Sequence, residues 1–377
     1  MSYRGKHRRS VSHPVLRAVA ATTVMVLLAV AGTAFLAYRH LEGNITVSNG
    51  FDVIQGDRPD EVDVEGPNRP LNVLILGSDT REGQSEVSGA SAGLSDTTIL
   101  LHLSADRERA YGVSIPRDLL VERPDCTDPK DGSTIPGEEF SQWNEAFALG
   151  GEACTVAQFE TMSGLRVNHF VVVDFNGFKT MVDALGGVPV CVPEEVDDPI
   201  GRIYLPAGTY KVSGNQALDY VRVRHSIGTT DTGDIGRMKR QQAFLASMVN
   251  TAVSAGTLFN PARLWKFLNA ATQSLTTNPG LSKISTLFDL AQDVRDIGLG
   301  KVQFFTVPFD PYEPDPNRLV PAKESQQLWD QLRNDEPLGR TLTSGATKAS
   351  EGDVTKPSKK PQDPEQTAEA ARNGLCA

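Results

Sequence analysis

Apolar residues fall into short dense runs separated by glycine, proline and polar clusters. "LNVLILGSD", from Leu71 to Asp79, stops at a Gly-Ser turn, as a buried strand feeding a loop does. Runs of the same kind follow at residues 97–103 (TTILLHL), 109–115 (RAYGVSI), 169–175 (HFVVVDF), 187–192 (GVPVCV) and 301–307 (KVQFFTV). Between them apolar residues recur at helical spacing in NEAFALGG, TVAQFETMSG, FNGFKTMVDALGG and a long series from Arg237 to Ile297. A last helical pattern lies in AKESQQLWDQLRND. Strands alternating with helices predict a layered α/β domain. "IYLPAGTYKVSG" reads as a small hairpin turning at Ala207-Gly208. No internal repeat is visible.

The longest apolar run lies outside this alternation. Ala18 to Tyr38 contains no charged residue over 21 positions, enough for a helix to cross a bilayer, and the basic residues before it predict a cytoplasmic N-terminus with the body outside. The alternative is a cleaved signal peptide with its site within Ala34–Ala37, but the run exceeds the usual signal-peptide core of about 7–15 residues. The expected organisation is a cytoplasmic basic start (1–17), a transmembrane helix (18–38), a stalk with one short strand (39–69) and a folded domain (70–337). The tail (338–377) has almost no large apolar residues and is expected to be disordered.

Charge sharpens that division. Of 37 basic and 47 acidic residues, six basic and no acidic ones lie in the first 40, leaving a body with 31 against 47 and a net charge of −16. Such a body repels nucleic acid at long range, and no helix-turn-helix pattern is present, so a DNA-binding regulator is excluded. The four cysteines form no CxxC or Cys/His metal pattern. In an exported chain they favour disulfides, with Cys126 and Cys154 paired in a loop-rich stretch. Cys191 reads as a buried thiol inside GVPVCVP, and Cys376 is left free or intermolecular.

Against the acidic background, residues 222–242 (RVRHSIGTTDTGDIGRMKRQQ) gather four arginines and a lysine. If DYVRVRH is extended, Arg222 and Arg224 share one face. Arg237 and Gln241 lie four apart at the start of a helix with Arg240 beside them, while Lys239 points elsewhere. Arginines stabilise little at a helix N-terminus, but they make a phosphate site there. Asp234, at the same start, is either a cap or a catalytic carboxylate. Asp79 follows the first strand and Asp96 opens the next, so the two can meet at one sheet edge as hard oxygen ligands for Mg²⁺, with Arg81 nearby. In "SIPRD" a strand delivers Arg117 and Asp118 at its end, where α/β proteins place ligand contacts. Asn144 reads as a helix cap.

In that order, LILGSDTR, LSDTTIL, SIPRD, NEAFALGG, DFNGFKTMVDALGGV, LPAGTYKVSGNQALDYVRVRH and GDIGRMKRQQ resemble the LytR-CpsA-Psr family of cell-wall ligases, over roughly residues 70 to 335. The resemblance implies a mixed sheet whose helices enclose a polyprenyl-lipid pocket. It also implies Mg²⁺-dependent transfer of a glycopolymer from undecaprenyl pyrophosphate to peptidoglycan outside the membrane. By position, Asp79 and Asp96 match metal ligands. Arg81, Arg117, Arg222, Arg224, Arg237 and Gln241 match pyrophosphate contacts, and Asp234 matches an acidic residue acting as base. Phe147, Phe159, Phe178 and Leu185 are candidates for lining the pocket or for plain core. Two rival readings stay open: a pyrophosphatase using water on the same lipid, and a non-catalytic carrier-lipid scaffold.

Overall fold

The computed structural model describes residues 14–62, 64, 68–78, 95–199, 201–223, 233–253, 260–354, 370 and 375–376. Helix α1 (Pro14–Asn44) carries the uncharged run and is long and apolar enough to cross a membrane. Eight strands build the central sheet: β1 (Thr46–Val47), β2 (Leu71–Ser78), β3 (Ser95–Leu103), β4 (Ala110–Ile115), β5 (His169–Asp174), β6 (Leu275–Thr277), β7 (Val302–Thr306) and β8 (Thr347–Lys348). Their spatial order is β1-β6-β5-β2-β3-β4-β7-β8. Pairs β1/β6, β5/β2 and β4/β7 are parallel and the other four antiparallel, so the sheet is mixed. Among the described residues the further α-helices are α2 (Glu145–Ser163), α3 (Phe175–Ala184), α4 (Gly214–Arg222), α5 (Gly233–Val253), α6 (Pro261–Ser274), α7 (Ile284–Ile297) and α8 (Lys323–Arg333).

Register assigns side chains to the two faces. Leu74 lies opposite Leu100 and Phe170, and Leu100 opposite Val113. Because side chains alternate along a strand, Leu74, Leu76, Val113, Ile115, Phe170 and Phe305 share one face, each 3 % exposed or less. Trp143, Phe159 of α2 and Trp329 of α8 cover that face. Each such side chain contributes about 1.5–3 kcal/mol when fully buried, so this layer holds the fold. On the other face Leu71, Ile75, Leu101 and Val173 are only partly buried. They meet Leu245 and Val249 of α5 and Leu287, Leu290 and Val294 of α7, which are also incompletely covered. A second apolar layer joins α3, α4, α5 and the Val188–Val192/Gly208–Val212 strand pair.

Local chemistry explains several elements. The two helical patterns NEAFALGG and TVAQFETMSG are one helix, α2, kinked at Gly151, whose φ of 64° and ψ of −151° suit only glycine. The Asp174 side chain caps α3 by accepting from the Gly177 amide at 2.7 Å. A Cβ on Gly177 would stand 2.1 Å from that of Ser274, so this glycine lets α3 press onto α6.

Several expectations are corrected. DYVR is the last turn of α4, not extended chain: the Ser213–Gln216 capping box starts a helix that buries Ala217 and Tyr220. Residues 203–212 are not one hairpin, since Ile203–Leu205 pairs with Val196–Asp198 and Gly208–Val212 with Val188–Val192. The stalk is docked: β1 joins the sheet, and Arg58 makes a bidentate pair with Glu160 at 2.6 and 2.9 Å. The stretch 338–354, assigned to a disordered tail, adds β8 to the sheet edge and packs Gly352 against α5. Cys126–Cys154 is a disulfide, as the sequence suggested. Cys191 is not a free thiol, because it is bonded to Cys376.

Candidate active site

The strand ends of β3 and β4 and the start of α5 converge on one guanidinium. Pro116 stops β4, so Arg117 leaves the sheet with its side chain 21 % exposed. Its Nη1 donates to Asp96 Oδ1 at 3.0 Å, and its Nε to Asp234 Oδ2 at 2.6 Å and to Asp118 Oδ2 at 3.3 Å. Arg237, one turn into α5 and nearly buried, donates from Nη2 to the same Asp234 oxygen at 3.1 Å. Asp118 Oδ1 accepts from Gln142 Nε2 at 2.6 Å, and Arg318 stands 3.7 Å away. Three carboxylates thus surround Arg117, with Arg237 and Arg318 at the rim, and Gln241 and Met238 complete the cleft wall. Charge-assisted bonds of this length are roughly twice as strong as neutral ones, so the cluster is preset rather than loose.

Electrostatics follow from that crowding. Burial acts to lower the Arg117 pKa, but Asp234, Asp96 and Asp118 together outweigh it, and the guanidinium is held more firmly charged than usual. Asp118 moves the other way: burial first, then the neighbouring Asp234 carboxyl, raise it above its ordinary value against the pull of Arg117. A carboxyl raised in this way is a stronger proton acceptor than an exposed aspartate.

Of the residues singled out by sequence, Asp96, Arg117, Asp234, Arg237 and Gln241 meet here. Asp79, Arg81 and Arg224 lie outside the described residues. Two others are not among the residues lining this cleft. Arg222, at the end of α4, is exposed and stacks its guanidinium 4.9 Å from the Phe175 ring centre. Arg240 is 1 % exposed and donates from Nη2 to the Val223 carbonyl, so it holds the chain leaving α4 and does not line the cleft. Asp118 is the residue that sequence reasoning underused; its place beside Arg117 at the strand end was the available signal. Beneath the cluster, Gln242 of α5 is fully buried and donates from Nε2 to Ser114 Oγ at 3.1 Å and Thr306 Oγ1 at 2.9 Å, pinning α5 over the sheet.

Among the described residues no three His, Cys, Asp or Glu side chains group as metal ligands. Mg²⁺ asks for less, one or two carboxylates with water and substrate phosphate. Asp96 has the right donor chemistry, and with its side chain 24 % exposed it is open to a hydrated cation.

The candidate lipid-lining residues divide. Phe147 and Phe159 belong to the sealed core, and Phe178 and Leu185 to the α3–α4–α5 layer. The incompletely covered apolar surface lies instead between the second sheet face, α5 and α7. Helix α5 links the two sites, carrying Asp234 and Arg237 at one end and Leu245 and Val249 farther along.

A family model described as the LytR_cpsA_psr family matches residues 38–334. The chain is 29% identical over 330 residues to the "Cell wall biosynthesis protein LcpA" of Corynebacterium glutamicum, covering 80% of this chain and 61% of that one. It is 29% identical over 220 residues to the "Polyisoprenyl-teichoic acid--peptidoglycan teichoic acid transferase TagV" of Bacillus subtilis, covering 57% and 51%. It thus spans about three fifths and one half of these two relatives. In fold it resembles a LytR-Csp2A-Psr enzyme from Actinomyces oris, with a TM-score of 0.57 at 23% identity, over 74% of this chain and 96% of that one.

Proposed function

Since the chain belongs to the LytR-CpsA-Psr family, we propose that it is a phosphotransferase moving a glycopolymer from a polyprenyl-pyrophosphate carrier onto peptidoglycan at the outer side of the membrane. The observation that carries this reading is the pairing of an arginine and carboxylate cluster, at the head of α5, with a partly buried apolar sheet face along the same helix. A ligand charged at one end and greasy at the other fits that arrangement. The name of the TagV relative, which specifies a polyisoprenyl-linked donor and a peptidoglycan acceptor, supports it.

In this reading Arg117 and Arg237 bind the pyrophosphate oxygens, exchanging part of their carboxylate contacts for phosphate. Asp96, together with Asp79, would hold Mg²⁺, which when bound neutralises charge on the phosphate oxygens. An acceptor sugar hydroxyl attacks the phosphorus attached to the polymer. Its proton passes to the Asp234–Asp118 carboxylate pair, the bond from that phosphorus to the bridging oxygen breaks, and polyprenyl phosphate leaves. Such transfer needs positioning and charge stabilisation more than covalent help.

The test is a reconstituted reaction of the full chain with a polyprenyl-pyrophosphate-linked saccharide and peptidoglycan, with both products measured. Saccharide attached to the wall in step with polyprenyl phosphate release is the expected result. Release without attachment would make the protein a pyrophosphatase. Lipid binding with neither product would leave it a carrier scaffold.

A further inference from the structure

Helix α1 does not end where its uncharged run ends. It continues as one helix to Asn44, and its last turns pack on α6 and α7. The side chains His40 and Asn269 are hydrogen-bonded at 2.9 Å, Asn44 donates to Asn269 and Thr272, both at 3.2 Å, and Leu41 is buried. The His40 ring stacks on Trp265 with centres 5.9 Å apart and planes inclined by 28°. The Tyr38 hydroxyl faces Ser285 at the start of α7. A helix rises about 1.5 Å per residue, so His40 lies only about 3 Å along the axis beyond Tyr38, and the Trp265 ring stacks against it. If α1 spans the bilayer, this docking carries α6 and α7 to the headgroup layer.

The surface arriving there has the matching chemistry. Trp265 and Phe288 are 39% and 58% exposed, unlike the two remaining tryptophans, Trp143 and Trp329, which are each 1% exposed in the sealed core. Arg263 and Lys266 on α6 and Lys283 just before α7 are also exposed. Tryptophan is enriched at membrane–water interfaces, and lysine and arginine are attracted to anionic lipid headgroups.

We infer that the N-terminal parts of α6 and α7 rest on the bilayer that α1 crosses, with Trp265 and Phe288 inserted among the lipid headgroups. This seat rests on the membrane reading of α1 and not on the transferase reading. Joined to the transferase reading it has a consequence: Leu287 and Leu290, neighbours of Phe288 on α7, pack against the partly buried sheet face, so the seat sets that face beside the layer where a carrier lipid's chain begins.

The full chain in phosphatidylcholine/phosphatidylglycerol vesicles tests it, because Trp265 is the exposed tryptophan. Lipids brominated along their acyl chains should quench part of the emission, most strongly with bromines nearest the headgroups. Trp265→Phe should abolish that quenching, and adding Phe288→Trp to that variant should restore it. Equal emission with and without bromine, in a chain that resists alkaline carbonate extraction, would overturn the seat. Extraction by carbonate would remove the span and the seat together while leaving the transfer reaction to be judged by its products.

Discussion

The two faces of the central sheet are made from the same strands and behave differently. On one, Leu74, Leu76, Leu100 and Phe170 are 0% exposed beneath Phe159 and Trp329. On the other, Val73, Leu103 and Phe304 are buried, but Leu71, Ile75, Leu101 and Val173 are only partly covered by the helices they meet. Partly buried aliphatic side chains retain contact with water, a cost that an apolar ligand can offset. The lesson is a division of labour: one face is fully buried and stabilises the fold, and the other leaves part of its apolar surface for the lipid chain that the proposed function requires.

The largest expected effect separates the faces by stability. Phe159→Ala on the sealed side should cost about 3–5 kcal/mol, whereas Leu101→Ala on the open side should cost less than about 2 kcal/mol, the low end for a leucine truncation. Chemical denaturation of both variants measures this, and equal losses would break the comparison. Next comes the chemistry above the open face. Asp234→Asn removes the charge shared by Arg117 and Arg237 and should lower transfer by roughly 10²–10³-fold, while shifting the denaturation midpoint little. Full activity would return Asp234 to capping. The disulfide at α2 braces the sealed side. Cys126→Ser with Cys154→Ser should cost about 2–4 kcal/mol for the 28-residue separation, read as a lower denaturation midpoint with lipid affinity retained.

The smallest effect is a pH dependence on the open side. His169 lies opposite Val73, and burial pushes its imidazole below the ordinary value against a hydrogen bond with Asn278. A lowered folded pKa means that the unfolded chain takes up the proton first. This contribution is therefore present above about pH 6.5 and declines as pH falls below it. Melting temperature should fall less between pH 7 and 5 in His169→Gln than in the parent.

Much of the fold was legible because strand runs and helical spacing act locally. The 71–78, 95–103 and 110–115 strands, the helical spacing from Arg237 within α5 and the delivery of Arg117 at a strand end all follow from such patterns, to within a few residues at the ends. The misreadings share a cause in long-range contacts. Val-Arg-Val-Arg alternation suggests a strand, but the capping box at Ser213 and the burial of Tyr220 select a helix. For Phe147 and Phe159 the sequence left lipid pocket and plain core open, and only strand register places them in the core. Cys191 meets Cys376 across 185 residues, and β8 pairs through only two, too distant or too brief to leave a pattern. At the site, Asp118 was visible in "PRD", but its role depends on Asp234, 116 positions away.

The most direct test enlarges a side chain on the partly buried face. Leu101→Trp adds bulk to the open face without touching the Arg117 cluster, and polyprenyl-pyrophosphate affinity and unfolding free energy should be measured on one preparation. If the face is reserved for the carrier chain, lipid affinity should fall at least about tenfold, near 1.4 kcal/mol, while stability changes by less than about 1 kcal/mol, because Leu101 is only partly buried and the added ring can extend toward solvent. A stability loss of about 1–3 kcal/mol, as in an overpacked core, with lipid affinity unchanged, would contradict the account and make this face ordinary core.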